Sequence, residues 1–195
     1  MPSRDPPAPR NAITADELVR RNARFAAHGE FAGLPFPSNQ TLRVIGCVDS
    51  RVDPSHVLGL GLGEAVVMRN IGGRVTPAVL RSWQLLAKLG QQGTGGQLGG
   101  GPPHLVVLQH TDCGIKRLAG YPEMLAEFFE IPVTDLDTKA VSDPYAAVRI
   151  DVDILRRALP AGLLVSGLVY DTDTGLIEVV VPPTTSETVA ITQGN

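Results

Sequence analysis

The sequence is short of cysteine, of aromatic residues and of long apolar runs. Cysteine occurs only at Cys47 and Cys113 in 195 residues, so at most one disulfide could form within the chain. Aromatic residues make up 5% of the chain, and Leu, Val, Ile and Ala must therefore fill the interior. No window approaches the ~18 apolar residues that a membrane-spanning helix requires. A chain of this length can still bury the core of one ordinary globular domain.

Positive charge is also scarce. The formal net charge of -3, without any basic run, argues against a nucleic acid or an anionic membrane as partner, since either would need a basic face. A small-molecule substrate is the better expectation. No apolar stretch of signal-peptide length follows the Pro-rich residues 1–12, which we expect to form a disordered leader. We therefore expect a cytoplasmic protein.

The first periodic segment predicts an amphipathic helix from Thr14 to about Phe31. Thr14 followed by Glu17 has the form of a capping box, in which two side chains satisfy the free backbone groups at the helix start. Pro35 and Pro37 should stop any continuation of this helix.

Five short runs rich in β-branched residues predict strands, at residues 42–48, 65–68, 104–109, 163–170 and 176–181. The last run follows a turn-forming stretch and should pair with the fourth strand as an antiparallel hairpin. Helical patterns at residues 77–89, 116–129 and 144–159 separate the other strands.

Alternating strands and helices predict an α/β fold with a mostly parallel central sheet, about four parallel strands plus an antiparallel edge strand, flanked by helices. We expect a single domain over residues 13–183, with a flexible Gly-rich loop at 90–103 and a polar tail at 184–195. The Gly-rich loop could resemble a phosphate cradle, but no Gly-Lys-Ser/Thr follows it and no strand leads into it.

Two clusters of polar residues follow predicted strands. Cys47, Asp49 and Arg51 stand two residues apart after the first strand, and His110 and Cys113 follow the third. If the first strand lies between the second and third, a crevice opens at these strand ends, where α/β sheets place their ligands. We therefore expect one site that combines both clusters.

Cys47, His110 and Cys113 together predict a zinc site, because two thiolates and one imidazole suit this ion. A disulfide is the alternative for two cysteines in a secreted chain. A structural zinc site would usually supply four ligands close together in the chain. Three ligands leave a position open, which favours a catalytic ion that lowers the pKa of a bound water.

Asp49 is the candidate partner of this metal, with two possible roles. Its carboxylate could accept a hydrogen bond from hydroxide on the zinc and orient it for attack. Alternatively, Asp49 could itself be the fourth zinc ligand and close the site. Arg51 would keep Asp49 ionised and aligned. Asp112, between two ligands, is interpreted as a helix cap.

These residues resemble the β-class carbonic anhydrases. The similar motifs run in order along the chain: Cys-x-Asp-Ser-Arg at 47–51, Val-Asp-Pro-Ser at 52–55, Arg-Asn-Ile-Gly-Gly at 69–73 and His-x-x-Cys-Gly at 110–114. The spelling His-Thr-Asp-Cys-Gly of the last motif resembles a short bacterial subgroup. Many family members have a second Gly where this chain has Ile115.

The resemblance implies one zinc per chain on Cys47, His110 and Cys113, and an Asp49–Arg51 dyad that opens and closes the site. It further implies reversible hydration of carbon dioxide to bicarbonate and a proton, and association as a homodimer or dimer of dimers. Two alternatives stay open. Relatives of this kind hydrolyse carbonyl sulfide and carbon disulfide on the same centre, and a non-catalytic zinc-binding interaction domain would use the metal alone.

Overall fold

The computed structural model describes residues 13–34, 41–94 and 102–185. By their contacts these residues form two compact units, one ending at Leu34 and one containing everything described from Thr41 onward. The predicted leader, Pro35 and Pro37 lie outside the described residues, and so does the tail beyond Thr185. The predicted domain limits therefore stay a prediction.

The first unit contains one helix, α1, at Ala15–His28. The Thr14 side chain accepts a hydrogen bond from the backbone N–H of Glu17, as the capping pattern predicted. Glu17 does not complete the box but pairs with basic side chains one turn further along. The helix ends before the predicted Phe31 because Gly29 adopts a left-handed conformation with φ 72°, which is a common helix stop.

The second unit is built on a five-stranded sheet whose predicted fold class is confirmed. Its strands are β1 (Leu42–Cys47), β2 (Ala65–Asn70), β3 (His104–His110), β4 (Leu164–Tyr170) and β5 (Ile177–Thr185). The order across the sheet is β2-β1-β3-β4-β5, with β5 alone antiparallel to its neighbour. The predicted central place of the first strand, between the second and third, is confirmed. The last strand ends four residues later than the sequence predicted.

Four α-helices and three 3₁₀ segments connect the strands. The helices are α2 (Pro54–Val57), α3 (Pro77–Thr94), α4 (Pro122–Phe129) and α5 (Pro144–Ala158). The 3₁₀ segments are Ile71–Gly73, Gly114–Gly120 and Val133–Lys139. Among the described residues, no helix is both long enough and apolar enough to span a membrane.

Two helix predictions need correction. The predicted loop does not start at Gly90, because α3 continues through it to Thr94. Glycine costs a helix interior only about 1 kcal/mol, which its neighbours can outweigh. The predicted helix at 116–129 is interrupted at Tyr121, where φ is -129° and ψ is 63°. Pro122 causes this break, since proline disfavours helical backbone in the residue before it.

Both faces of the sheet are covered, as expected for parallel strands. Ile45 and Val107 face α3 and α5 and belong to a large buried cluster with side chains of those helices. Val44 and Val106 alternate to the opposite face, where they pack with residues of α2 and the turn after it. Apolar packing on both faces stabilises the sheet. The polar residues that follow β1 and β3 lie at the same edge of it.

A buried ion pair joins the loop after β2 to α5. The Arg74 Nε donates to Asp151 Oδ2 at 2.7 Å, and both side chains are at most 1% exposed. Arg74 Nη2 also donates to the carbonyl of Lys139 at 2.8 Å, and the guanidinium carbon lies 5.0 Å from the centre of the Phe129 ring. Gln109, on β3, donates to Asp151 Oδ2 at 3.3 Å and completes the cluster.

The substitution Asp151→Asn should lower the free energy of unfolding by about 3 kcal/mol or more, because it leaves the Arg74 charge buried without its counter-ion. Urea unfolding measures this loss. Glu130→Gln is the matched control, since Glu130 pairs with Arg81 at 2.7 Å on the surface and should matter little. Equal losses from the two substitutions would contradict the role given to the buried pair.

Candidate metal centre

The two predicted clusters meet at the carboxyl ends of β1 and β3. Cys47 is the last residue of β1, and His110 is the last residue of β3. These strands are adjacent and parallel, so their ends lie at the same edge of the sheet. The chain then turns at Asp112, whose φ of 51° is left-handed, and this turn returns Cys113 to Cys47. The two clusters therefore lie together, as expected, and their roles in a site stay a prediction.

Cys47, His110 and Cys113 form a buried group whose ligand atoms all lie within 4.8 Å of one another. Their exposed fractions are 4%, 0% and 8%. The two Sγ atoms are 3.8 Å apart. Two sulfurs bound to one tetrahedral zinc at ~2.3 Å would be separated by about the same distance, 3.8 Å. The spacing of the thiols therefore fits a zinc ion.

The ring of His110 is oriented for metal binding. Its Nδ1 lies 2.8 Å from the carbonyl of Thr111, and a carbonyl can only accept, so Nδ1 carries the proton. In the neutral ring the lone pair is then on Nε2, which is buried and has no hydrogen-bond partner among the described residues. Burial opposes protonation of the ring, but the nearby Cys47 thiolate and the Thr111 carbonyl outweigh it and raise the pKa of His110. An unpaired buried ring nitrogen is costly unless a metal takes it. A backbone carbonyl behind a ligating histidine is the usual way to fix its tautomer.

The two thiols behave as a pair. The pKa of Cys47 is lowered, chiefly because the Cys113 thiol hydrogen-bonds to its thiolate. The pKa of Cys113 is raised because that hydrogen bond holds its proton and because the group is buried. Without a cation the pair thus carries one negative charge. A divalent ion would balance the two negative charges of two thiolates. The soft sulfur donors favour zinc over hard cations such as magnesium or calcium.

Asp49 and Arg51 lie beside this group and contact each other directly. Arg51 Nη2 donates to Asp49 Oδ2 at 2.8 Å, and Nε donates to Oδ1 at 3.1 Å. The backbone N–H of Arg51 also donates to Oδ1 at 2.9 Å. These bonds lower the pKa of Asp49 to about 2, with the Arg51 side chain as the largest cause. Asp49 is therefore an ionised hydrogen-bond acceptor at neutral pH.

The pairing of Asp49 with Arg51 has a different local cause from the one predicted. The sequence predicted it from strand alternation, but β1 ends at Cys47. The bond from the Arg51 backbone to the Asp49 side chain instead closes an Asx-type turn. The Asp49 N–H lies 3.4 Å from Cys47 Sγ, which places this turn against the first thiol.

Arg69 holds the loop that carries the dyad. Its Nε donates to the carbonyl of Cys47 and its Nη2 to the carbonyl of Asp49, both at 2.8 Å. Its third nitrogen, Nη1, pairs with Asp53 Oδ2 at 2.6 Å. One guanidinium from β2 thus fixes the backbone on both sides of Val48.

Two glycines let the chain pass close behind the metal ligands. A Cβ on Gly73 would lie 2.8 Å from the backbone nitrogen of Cys47, and the φ of Gly73 is +60°. A Cβ on Gly72 would lie 2.7 Å from the Ile115 side chain. Gln109 holds this turn by donating to the Gly73 carbonyl at 2.9 Å. The Ile115 that departs from many family members therefore packs on Gly72.

The sequence did not predict several supporting residues. Asp112 is not a helix cap, because its carboxylate binds Arg51 and Lys116 instead. Asp and Asn adopt the left-handed backbone conformation more readily than most residues, so an Asp at this position is the sequence signal for the turn. The pairing of Arg74 with Asp151 spans 77 positions, and no local pattern announces it.

A family model described as carbonic anhydrase matches residues 42–129, which include all three candidate ligands and the dyad. β-Carbonic anhydrase 1 of Mycobacterium tuberculosis (strain H37Rv) is 33% identical over 100 residues, covering 51% of this chain and 55% of that protein. A carbon disulfide hydrolase of Acidianus sp. (strain A1-3) is 34% identical over 93 residues, covering 48% of this chain and 40% of that protein. The chain spans about half the length of the curated relatives it matches or less.

Solved structures extend the similarity over most of the chain. A carbonic anhydrase from Streptococcus mutans superposes with a TM-score of 0.62 at 33% identity, covering 85% of this chain and 96% of that one. A carbonic anhydrase from Glaciozyma antarctica gives a TM-score of 0.56 at 26% identity, with coverage of 84% and 95%. With the two-cysteine, one-histidine group at the predicted strand ends, these matches place the chain in the β-carbonic anhydrase family.

Proposed function

We propose that the protein catalyses the reversible hydration of carbon dioxide to bicarbonate and a proton, with one zinc ion per chain. The observation that carries this proposal is the unpaired Nε2 of His110, which faces two thiols spaced for zinc beside an ionised carboxylate. Cys47, His110 and Cys113 would hold the ion. Family membership supports the same activity, since the similar proteins include carbonic anhydrases.

A zinc ion in this position supplies a Lewis acid that lowers the pKa of water towards neutrality. The protein supplies a closed, preorganised setting. All three ligand side chains are at least nine-tenths buried, so solvent does not compete for the sulfur and nitrogen donors. The Thr111 carbonyl keeps the His110 proton on Nδ1.

Asp49 and Arg51 would do the orienting. At neutral pH the Asp49 carboxylate has no proton to give, so it accepts a hydrogen bond from the attacking water and directs an oxygen lone pair at the carbon of carbon dioxide. Arg51 fixes the plane of that carboxylate through two side-chain bonds. In a closed arrangement Asp49 would leave Arg51 and act as the fourth zinc ligand.

Hydrolysis of carbon disulfide or carbonyl sulfide is the second candidate. The similarity to the carbon disulfide hydrolase of Acidianus sp. favours it, at 34% identity. All three substrates are linear and electrophilic at carbon, so one metal centre could serve each of them. A non-catalytic zinc-binding domain is less well supported, because it would not need the Asp49–Arg51 dyad.

We further propose a cytoplasmic homodimer or dimer of dimers. The helix α1 exposes apolar side chains that a monomer in water would leave uncovered, including Leu18 at 55%, Val19 at 68% and Phe25 at 39%. Two carbonic anhydrases of Sordaria macrospora with a similar fold are tetrameric. Association of several copies would give this helix a partner.

Stopped-flow hydration of carbon dioxide at pH 7 to 9, on protein of measured zinc content, tests the proposed activity. We expect one zinc per chain and hydration far above the rate in buffer. Sulfide release from carbon disulfide or carbonyl sulfide without hydration would establish the second candidate instead. Stoichiometric zinc with neither activity would contradict both enzymatic functions.

The substitution Asp49→Ala should lower kcat/KM for carbon dioxide by about a hundredfold or more, because the attacking water loses its orienting acceptor. Zinc should stay at one per chain, since all three proposed ligands remain. Metal analysis and stopped-flow kinetics on the same sample check the two statements. Glu130→Gln, which removes a carboxylate from a distant surface pair, should match the wild type. Full activity in zinc-loaded Asp49→Ala would refute the role given to the dyad.

A further inference from the structure

Arg51 is shared between two carboxylates, one from the segment after β1 and one from the segment after β3. Its Nε and Nη2 bind Asp49, as described above. Its Nη1 donates to Asp112 Oδ2 at 3.1 Å, and Nη2 also donates to the Asp112 backbone carbonyl at 3.1 Å. Every nitrogen of the guanidinium is therefore engaged, and one side chain bridges the segment after β1 to the segment after β3.

Asp112 also has a second cationic partner. Lys116 Nζ donates to its Oδ1 at 2.7 Å, which leaves Oδ2 for Arg51. The left-handed backbone at Asp112 lies between the two ligands His110 and Cys113 and aims its carbonyl at the guanidinium. The second anchor of Arg51 is thus fixed by the same turn that forms the metal group.

We propose that Asp112 is a positioning residue: it holds Arg51 in the place from which Arg51 keeps Asp49 turned away from the metal. This inference rests on the proposed function, in which Asp49 can either orient the attacking water or close the site.

The exposure of Arg51 explains why a second anchor matters. Its side chain is 50% exposed, whereas that of Asp49 is 18% exposed. A long side chain in contact with water forms only weak ion pairs, because ordering it costs conformational entropy. The Asp112 carboxylate and carbonyl already restrain the Arg51 side chain. The hydrogen bonds between Arg51 and Asp49 therefore form with a smaller loss of conformational entropy. Without this restraint Asp49 would be freer to move to the metal.

The charges around Arg51 are balanced. Asp49 and Asp112 carry two negative charges, and Arg51 and Lys116 carry two positive charges. Removal of the Asp112 carboxylate leaves Lys116 without its partner and Arg51 with one anchor fewer. The fraction of molecules with an accessible metal should then fall, and the affinity for any ligand of the open site should fall in proportion.

Two variants test the proposal, Asp112→Gly and Asp112→Asn. Glycine removes both side-chain contacts and fits the left-handed backbone, and asparagine keeps an acceptor but loses the charge. Glu130→Gln is the matched control, because Glu130 is also left-handed, with φ 54°, and also pairs with an arginine. On zinc-loaded protein, azide binding is titrated by the infrared stretch of azide, which shifts on metal binding, and kcat/KM is measured beside it.

We expect Asp112→Gly to weaken azide binding and kcat/KM by the same factor, about threefold to tenfold, with a smaller loss for Asp112→Asn. The zinc content should stay at the wild-type value, and the control should bind azide normally. Unchanged azide affinity in Asp112→Gly would overturn the inference, even if stability or zinc content fell. Weaker azide binding in a protein whose wild type hydrates nothing would reject the proposed function and leave the positioning role intact.

Discussion

The parallel pairing of β1 with β3 is the constraint on which the metal group depends. Gly46 is paired in register with Leu108, so the next residues of the two strands leave the sheet side by side. Cys47 and His110 are brought together by this register, although they are far apart in the chain. The buried cluster formed with α3 and α5 fixes the register, because a one-residue slip would turn Ile45 and Val107 to the wrong face.

Three arginines connect this sheet edge to its surroundings, each at a different depth. Arg74 is buried with Asp151 and supports the turn whose glycines pass behind Cys47. Arg69 binds the backbone around Val48. Arg51 is the outermost and half exposed, and it alone contacts the carboxylate proposed to act on substrate. Rigid support therefore lies inside, and the arginine that holds the mobile Asp49 carboxylate lies at the surface.

Sequence reasoning found the elements that local patterns encode. Apolar β-branched runs predicted all five strands, and the position of Cys47 and His110 at strand ends predicted their convergence. It failed where a tertiary contact decides the outcome. Aspartate is a common helix-capping residue, but the Asp112 side chain instead binds Arg51, which follows a different strand. Gly90 suggested a loop, yet α3 continues through it. The Arg74–Asp151 pair joins a loop to a distant helix, which no periodicity reveals.

The central claim is that one zinc ion is bound by two sulfurs and one imidazole, with the fourth coordination position open to an oxygen or nitrogen ligand. Zinc K-edge X-ray absorption on the purified protein measures this ligand set directly. The account predicts two sulfur atoms at ~2.3 Å and two nitrogen or oxygen atoms at ~2.0–2.1 Å. A spectrum with four sulfurs, or with a single sulfur, would contradict it, because Cys47 and Cys113 are the only cysteines in the chain.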